Sequence, residues 1–130
     1  MKTSRRFSDD ILAVLRKSKS LRVRAGNGTH RFIGIWFVLV NDRVFVRSWS
    51  VKPGGWYRTF VSDPRGAIRI ADRAIAVRAV RVKDKSLRDA IDRAYLDSYS
   101  TPGSLQYAKD LGSAKSRATT TELVPTSSAG

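Results

Sequence analysis

At 130 residues the chain has room for one hydrophobic core, and its 42% apolar content is too high for a disordered segment. It contains no cysteine, which excludes a disulfide framework, a thiolate metal site and a cysteine nucleophile. A formal net charge of +14 points to anionic partners such as nucleic acid or phosphorylated ligands.

The charge is unevenly placed. Residues 1–24 carry net +6, residues 25–60 and 61–83 carry +4 each, and residues 84–130 are neutral. The excess falls where arginines alternate with apolar residues. That pattern reads first as a solvated basic sheet face, with a polyanion surface or a small phosphate site as the functional alternatives. The N-terminus, MKTSRRFSDD, has no following apolar run of signal-peptide length. Phe32 to Val40, the longest apolar stretch, is too short to span a bilayer. We therefore expect a cytoplasmic protein with no membrane span.

In chain order, residues 8–17 predict a helix, with Ser8 as cap, Asp9 and Asp10 in the first turn and Arg16 and Lys17 in the last. LRVRA, Leu21 to Ala25, alternates with the period of a half-buried strand. After the glycine turn GNGTH, the run Arg31 to Val40 is apolar on both faces and predicts one covered central strand. Asn41-Asp42 is a hairpin turn into the strand Arg43 to Trp49. WYRTFVSD predicts two helical turns ended at Asp63-Pro64. Gly66 to Ala71 and Ala74 to Val82 form a second hairpin around Asp72-Arg73. The apolar parity of its second strand switches near Arg78-Ala79, as a bulge or barrel corner would require. Asp84 to Tyr99 is an amphipathic helix, with Asp89 and Arg93 spaced for an ion pair, and a further helix runs to Lys109. Residues 118–124 predict a last strand, and residues 125–130 a mobile tail. The expected architecture is mainly β, a single antiparallel barrel domain over residues 1–124, with strands between about 21 and 82 and peripheral helices between about 84 and 109.

No residue stands out as a catalytic acid, base or nucleophile. The lone His30 has no clustered carboxylates for a metal site, and the acidic residues of the long helix read as its solvated face. Gly26-Asn27-Gly28 lacks the third glycine and the following helix of a dinucleotide fingerprint. The stretch RSWSVKPGGWYR, Arg47 to Arg58, carries most chemistry. Gly54 and Gly55 let the backbone approach an anion, and Arg47, Ser48, Lys52 and Arg58 can donate to phosphate. Trp49, Trp56 and Tyr57 either flank a flat ring or fill the core. On residue types alone, a ligand site and a structural turn both remain open.

The segment WFVLVNDRVFVRSWSVKPGGWYRTFVSDPRGAIRI resembles the flavin-binding split-barrel superfamily of pyridoxamine-phosphate oxidases and deazaflavin-dependent reductases. Within it, the chain looks like an uncharacterised bacterial branch, domain of unknown function 2255. The resemblance covers Leu21 to Val124 and rests on WFV, VFVRSW, GWYR and DPRGAI taken together. It implies a six-stranded split barrel, a homodimer, and an FMN or deazaflavin at the subunit interface with oxidoreductase activity. Its phosphate contacts would fall on Arg47, Ser48, Lys52 and Arg58. The relatives' glycine- and arginine-bearing turn reads AGNGTHRF here and keeps Gly28 and Arg31. The alternatives are a non-enzymatic basic barrel that binds nucleic acid and a cofactor-free protein-interaction module.

Overall fold

The structure is a computed structural model that describes residues 6–18, 20–26, 31–48 and 55–126. Strand β1 (Ser20–Ala25) buries Leu21, Val23 and Ala25 and turns Arg22 and Arg24 outward, as its alternation dictates. The apolar run after it is not one uniform strand. It divides into β2 (Ile33–Trp36) and β3 (Val38–Val40), broken at Phe37. β2 pairs with β1, whereas β3 pairs with β4 (Arg43–Val46) across a turn whose residues Asn41 and Asp42 both have positive φ, as a two-residue hairpin prefers. β5 (Arg65–Ile70) and β6 (Arg73–Arg81) form the second hairpin, and β7 (Thr121–Pro125) lies between β6 and β4.

The sheet order is therefore β2-β1-β5-β6-β7-β4-β3. Its two edges are the halves of one segment, joined through Phe37. Counted as that one bent strand, the expected six strands are present, and the break closes the sheet into a split barrel. The second hairpin turns at Ala71-Asp72, one residue earlier than expected. The expected bulge is absent. β6 keeps unbroken register with β5 as far as Arg78 and with β7 from Val77 to Arg81, and Val82 is buried because a helix covers that end of the outer face. The sheet also outlasts residue 124: Pro125 lies in β7, and the Thr126 N–H donates to the Ala76 carbonyl at 3.0 Å. Residues 127–130 of the expected tail lie outside the described residues.

Two apolar clusters hold the barrel. The inner one joins Val23, Val44, Val46, Ile68, Val77 and Leu123 to Ile11, Leu12 and Leu15 of α1 (Asp9–Arg16) and Phe60 of α2 (Trp56–Ser62). Ser8 occupies the N-cap of α1, but its hydroxyl donates to Asp10 rather than capping the backbone. The second cluster lies outside the sheet. There Ile91 and Tyr95 of α3 (Lys85–Ser98), Tyr99 just beyond it and Ala108 of α4 (Pro102–Asp110) cover Val38 and Phe45. Burying each large apolar side chain contributes about 1.5–3 kcal/mol, and Phe45, Ile91 and Tyr95 are all fully buried. Asp84 caps α3 by accepting the Leu87 N–H at 2.7 Å. Asp89 does not use Arg93; it pairs with Lys85 and with Arg117 of α5 (Ala114–Arg117).

Candidate functional site

β4 ends at Val46, and the next two residues turn into the helical layer. Arg47 is 2% exposed and its guanidinium is committed to the protein. Nε donates to Thr120 Oγ1 at 2.8 Å, Nη1 to Asp92 Oδ1 and to the Leu111 carbonyl at 2.9 Å, and Nη2 to the Arg88 carbonyl at 3.0 Å. The Tyr95 ring lies 5.8 Å below it. Burial pulls the guanidinium below its ordinary pKa, opposed by the hydrogen bond and charge of Asp92. Asp92 also pairs with Arg117 at 3.0 Å. Arg47 was expected to meet a phosphate; its donors instead tie β4 to α3, the end of α4 and the start of β7. The physical reason is that a buried guanidinium must satisfy its donors where it lies, and carbonyls surround it.

Ser48 is buried as well. Its N–H donates to Thr119 Oγ1 at 2.8 Å, and the Thr119 hydroxyl donates to the Ser116 carbonyl at 2.6 Å. Tyr57, 8% exposed, brings its hydroxyl within 3.5 Å of the Ala118 carbonyl. Ser48 and Tyr57 thus sit on neighbouring residues, Ala118 and Thr119, so the segment that leaves at Ser48 returns to the same place. Lys52, Trp49 and Gly54 lie outside the described residues, as do Gly28, Thr29 and His30. Trp56 is half-buried against the barrel cluster, with its ring edge-on to Tyr57 and Phe60 at 6.3 and 6.1 Å. Arg58 and Arg31 are exposed. The expected site therefore divides into an internal anchor, Arg47 with Ser48 and Tyr57, and exposed cations, Arg58 and Arg31.

Sequence reasoning missed the anchor's other half. Asp92 reads as solvated helix surface, yet it is the carboxylate on Arg47. The run Thr119-Thr120-Thr121 supplies two hydroxyl acceptors and is almost wholly buried. Three consecutive threonines before an apolar strand were the available signal.

A second set of charges lies on the outer face of β1, β5 and β6, which no helix covers among the described residues. Arg22 stands directly opposite Arg69, and Arg65 opposite Arg78. Arg24 and Arg69 place their guanidiniums 4.6 and 5.1 Å from the centre of the Phe32 ring. Arg22 and Arg69 also line a shallow cleft of about 430 Å³ with Ser18 and Ser20. Among the described residues no group of three or more His, Asp or Glu side chains could hold a metal ion, and no helix is long and apolar enough to cross a membrane.

Barrel closure through a broken strand, with helices packed against it, defines a split-barrel fold. The chain belongs to the DUF2255 family, described as uncharacterised protein conserved in bacteria, whose model matches residues 12–123. No curated protein matches the sequence. Similar solved structures include the haem storage protein HutZ of Vibrio cholerae, with TM-score 0.65, 14% identity, and 93% of this chain and 91% of that one covered. A conserved hypothetical protein of Mycobacterium tuberculosis, Rv2991, has TM-score 0.62 at 10% identity, over 95% and 82% of the two chains. A proposed pyridoxamine 5′-phosphate oxidase of Listeria innocua has TM-score 0.60 at 16% identity, over 90% and 91%. At these identities the likeness is one of fold.

Proposed function

We infer that this protein binds a phosphorylated flavin-type cofactor, FMN or a deazaflavin, and serves as an oxidoreductase in homodimeric form. The observation that carries this reading is the convergence of Ser48 and Tyr57 on Ala118 and Thr119. Both ends of the Lys52-bearing stretch are fixed to one support, itself clamped by buried Arg47. A plain turn needs no such support, whereas a phosphate contact needs donors held in place before the ligand arrives. Arg47 does not fit the role of ligand contact and acts as a positioning residue. This reading assigns the phosphate to Lys52, Arg58 and Arg31, and the flat ring to the neighbourhood of half-buried Trp56. When bound, the flavin supplies the hydride chemistry, which accounts for the lack of an evident acid, base or nucleophile in the chain.

The similar structures named for pyridoxamine 5′-phosphate oxidation and haem storage support cofactor binding by this fold. A haem asks for an axial ligand, and the chain offers only His30 as an imidazole. The test is titration of the purified protein with FMN and with a phosphorylated deazaflavin, read by cofactor fluorescence. Saturable binding that Lys52→Ala, Arg58→Ala protein loses supports the reading. Unaltered binding by that variant removes the phosphate site from this stretch.

A further inference from the structure

The outer face of β1, β5 and β6 is strongly cationic, and none of its arginines belongs to the set assigned to the cofactor. Register fixes what shares this face: Arg22 and Arg24 on β1, Arg65, Ala67 and Arg69 on β5, and Ala74, Ala76 and Arg78 on β6. Gly34 of β2 pairs with Arg22, and a methyl group there would meet nothing within 4 Å. Small residues thus lie between the arginines on this face. Arg65 is matched by Asp63, but Arg22, Arg24, Arg69 and Arg78 form no ion pair among the described residues. Two like-charge pairs face each other directly, an arrangement that costs sheet stability. The Nε–H of Arg24 is buried without an acceptor, and the guanidinium is held over the Phe32 ring that also carries Arg69.

We propose that this face binds the phosphate backbone of single-stranded nucleic acid without sequence preference. Charge selects the partner. A second copy of the chain seated here would set arginine against arginine, so any dimer uses another surface. A continuous anion neutralises all four cations and relieves the opposed pairs. Shape selects the single strand. Among the described residues the face presents no protruding helix or ribbon to enter a duplex groove, whereas a flexible strand can lie along it. The guanidiniums held on Phe32 are positioned before contact, which lowers the ordering cost.

The test is fluorescence anisotropy of a labelled oligothymidylate with wild-type protein and two double variants, each losing two positive charges. Arg22→Gln, Arg69→Gln alters the face; Arg93→Gln, Lys109→Gln alters exposed positions on α3 and α4. All four residues are exposed, and circular dichroism verifies that each variant is folded. Wild type should bind at about 50 mM salt and weaken steeply towards about 200 mM. The face variant should bind roughly tenfold more weakly, and its slope of log K against log salt should be shallower by about 1.4. The helix variant should stay within about twofold of wild type. The proposal is overturned if both variants weaken alike, if wild type does not bind the oligonucleotide at low salt, or if polyglutamate displaces it at equal charge. FMN titration of the face variant should be unchanged, so this result is independent of the cofactor reading.

Discussion

The hydroxyl of Tyr99 satisfies both backbone polar groups of Phe37: it accepts the Phe37 N–H at 3.1 Å and donates to the Phe37 carbonyl at 2.6 Å. Phe37 is where the long strand breaks, so neither group has a ladder partner there, and Phe37 is buried. Trp36 stacks on the Tyr99 ring with centroids 4.0 Å apart. One side chain from the helical layer thus stabilises the break that closes the barrel. Tyr99→Phe keeps the ring and strands both backbone groups, and should lower unfolding free energy by about 2–3 kcal/mol in urea titration. A loss below about 0.5 kcal/mol would mean that water replaces the hydroxyl.

The same contact sets a pH limit. Burial pushes the Tyr99 phenol up to about 12, partly offset by its hydrogen bond to Phe37, and burial raises fully enclosed Tyr95 too. The folded state therefore favours the neutral phenol. This contribution is complete below pH 10, the ordinary tyrosine value, and is lost as pH rises towards 12. Urea midpoints should fall across that window, and less steeply for Tyr99→Phe. Parallel curves for the two proteins would assign the alkaline loss to other groups.

Arg47 holds four protein acceptors from three segments: α3, the end of α4 and the start of β7. Arg47→Met removes these bonds and leaves the Leu111 and Arg88 carbonyls without their donor, so a loss of about 3 kcal/mol is expected in urea unfolding. Arg47→Lys should recover only part of it, because a point donor cannot span the acceptors as the planar fork does. Full recovery by lysine would show that charge alone suffices.

Two strand glycines should respond oppositely to alanine. A Cβ on Gly66 would lie 2.6 Å from the Arg24 carbonyl and 2.7 Å from the Phe60 ring, whereas at Gly34 it meets open space. Gly66→Ala should destabilise by about 1–3 kcal/mol, and Gly34→Ala should be neutral or slightly stabilising. Thermal midpoints of the two variants decide this directly.

Ala71, at the turn of the second hairpin, has φ 52°, in the left-handed region that costs a side chain about 1–2 kcal/mol. Ala71→Gly should raise stability by about 0.5–1 kcal/mol after the added freedom of the unfolded chain. A lower thermal midpoint would show that the turn carries no such strain.

Local chemistry made much of this fold legible. The alternation in LRVRA, the Asn41-Asp42 turn and the stripe of Leu87, Ile91 and Tyr95 each follow from spacing that the chain must obey wherever it folds. Strand number and short turns pointed to a barrel, and the resemblance added its six-stranded split form. The break at Phe37 was hidden because Ile33 to Val40 is apolar throughout, and only the pairing partners of each half divide it. The inward turn of Arg47 was hidden for a related reason. Its acceptors lie 41 to 73 residues further along the chain, on elements whose docking no local pattern reveals. An arginine beside serine and tryptophan reads as a surface cation until those elements are in place.

The central claim, a phosphate-holding cofactor stretch beyond the Arg47 anchor, is tested most directly by comparing FMN with riboflavin. The two share the ring and differ in the phosphate, so their dissociation constants from flavin fluorescence isolate the contribution of Lys52, Arg58 and Arg31. The account predicts that FMN binds at least about tenfold tighter, and that the gap narrows in Lys52→Ala, Arg58→Ala protein. Equal affinity for FMN and riboflavin, or no saturable binding of either by folded protein, would contradict it.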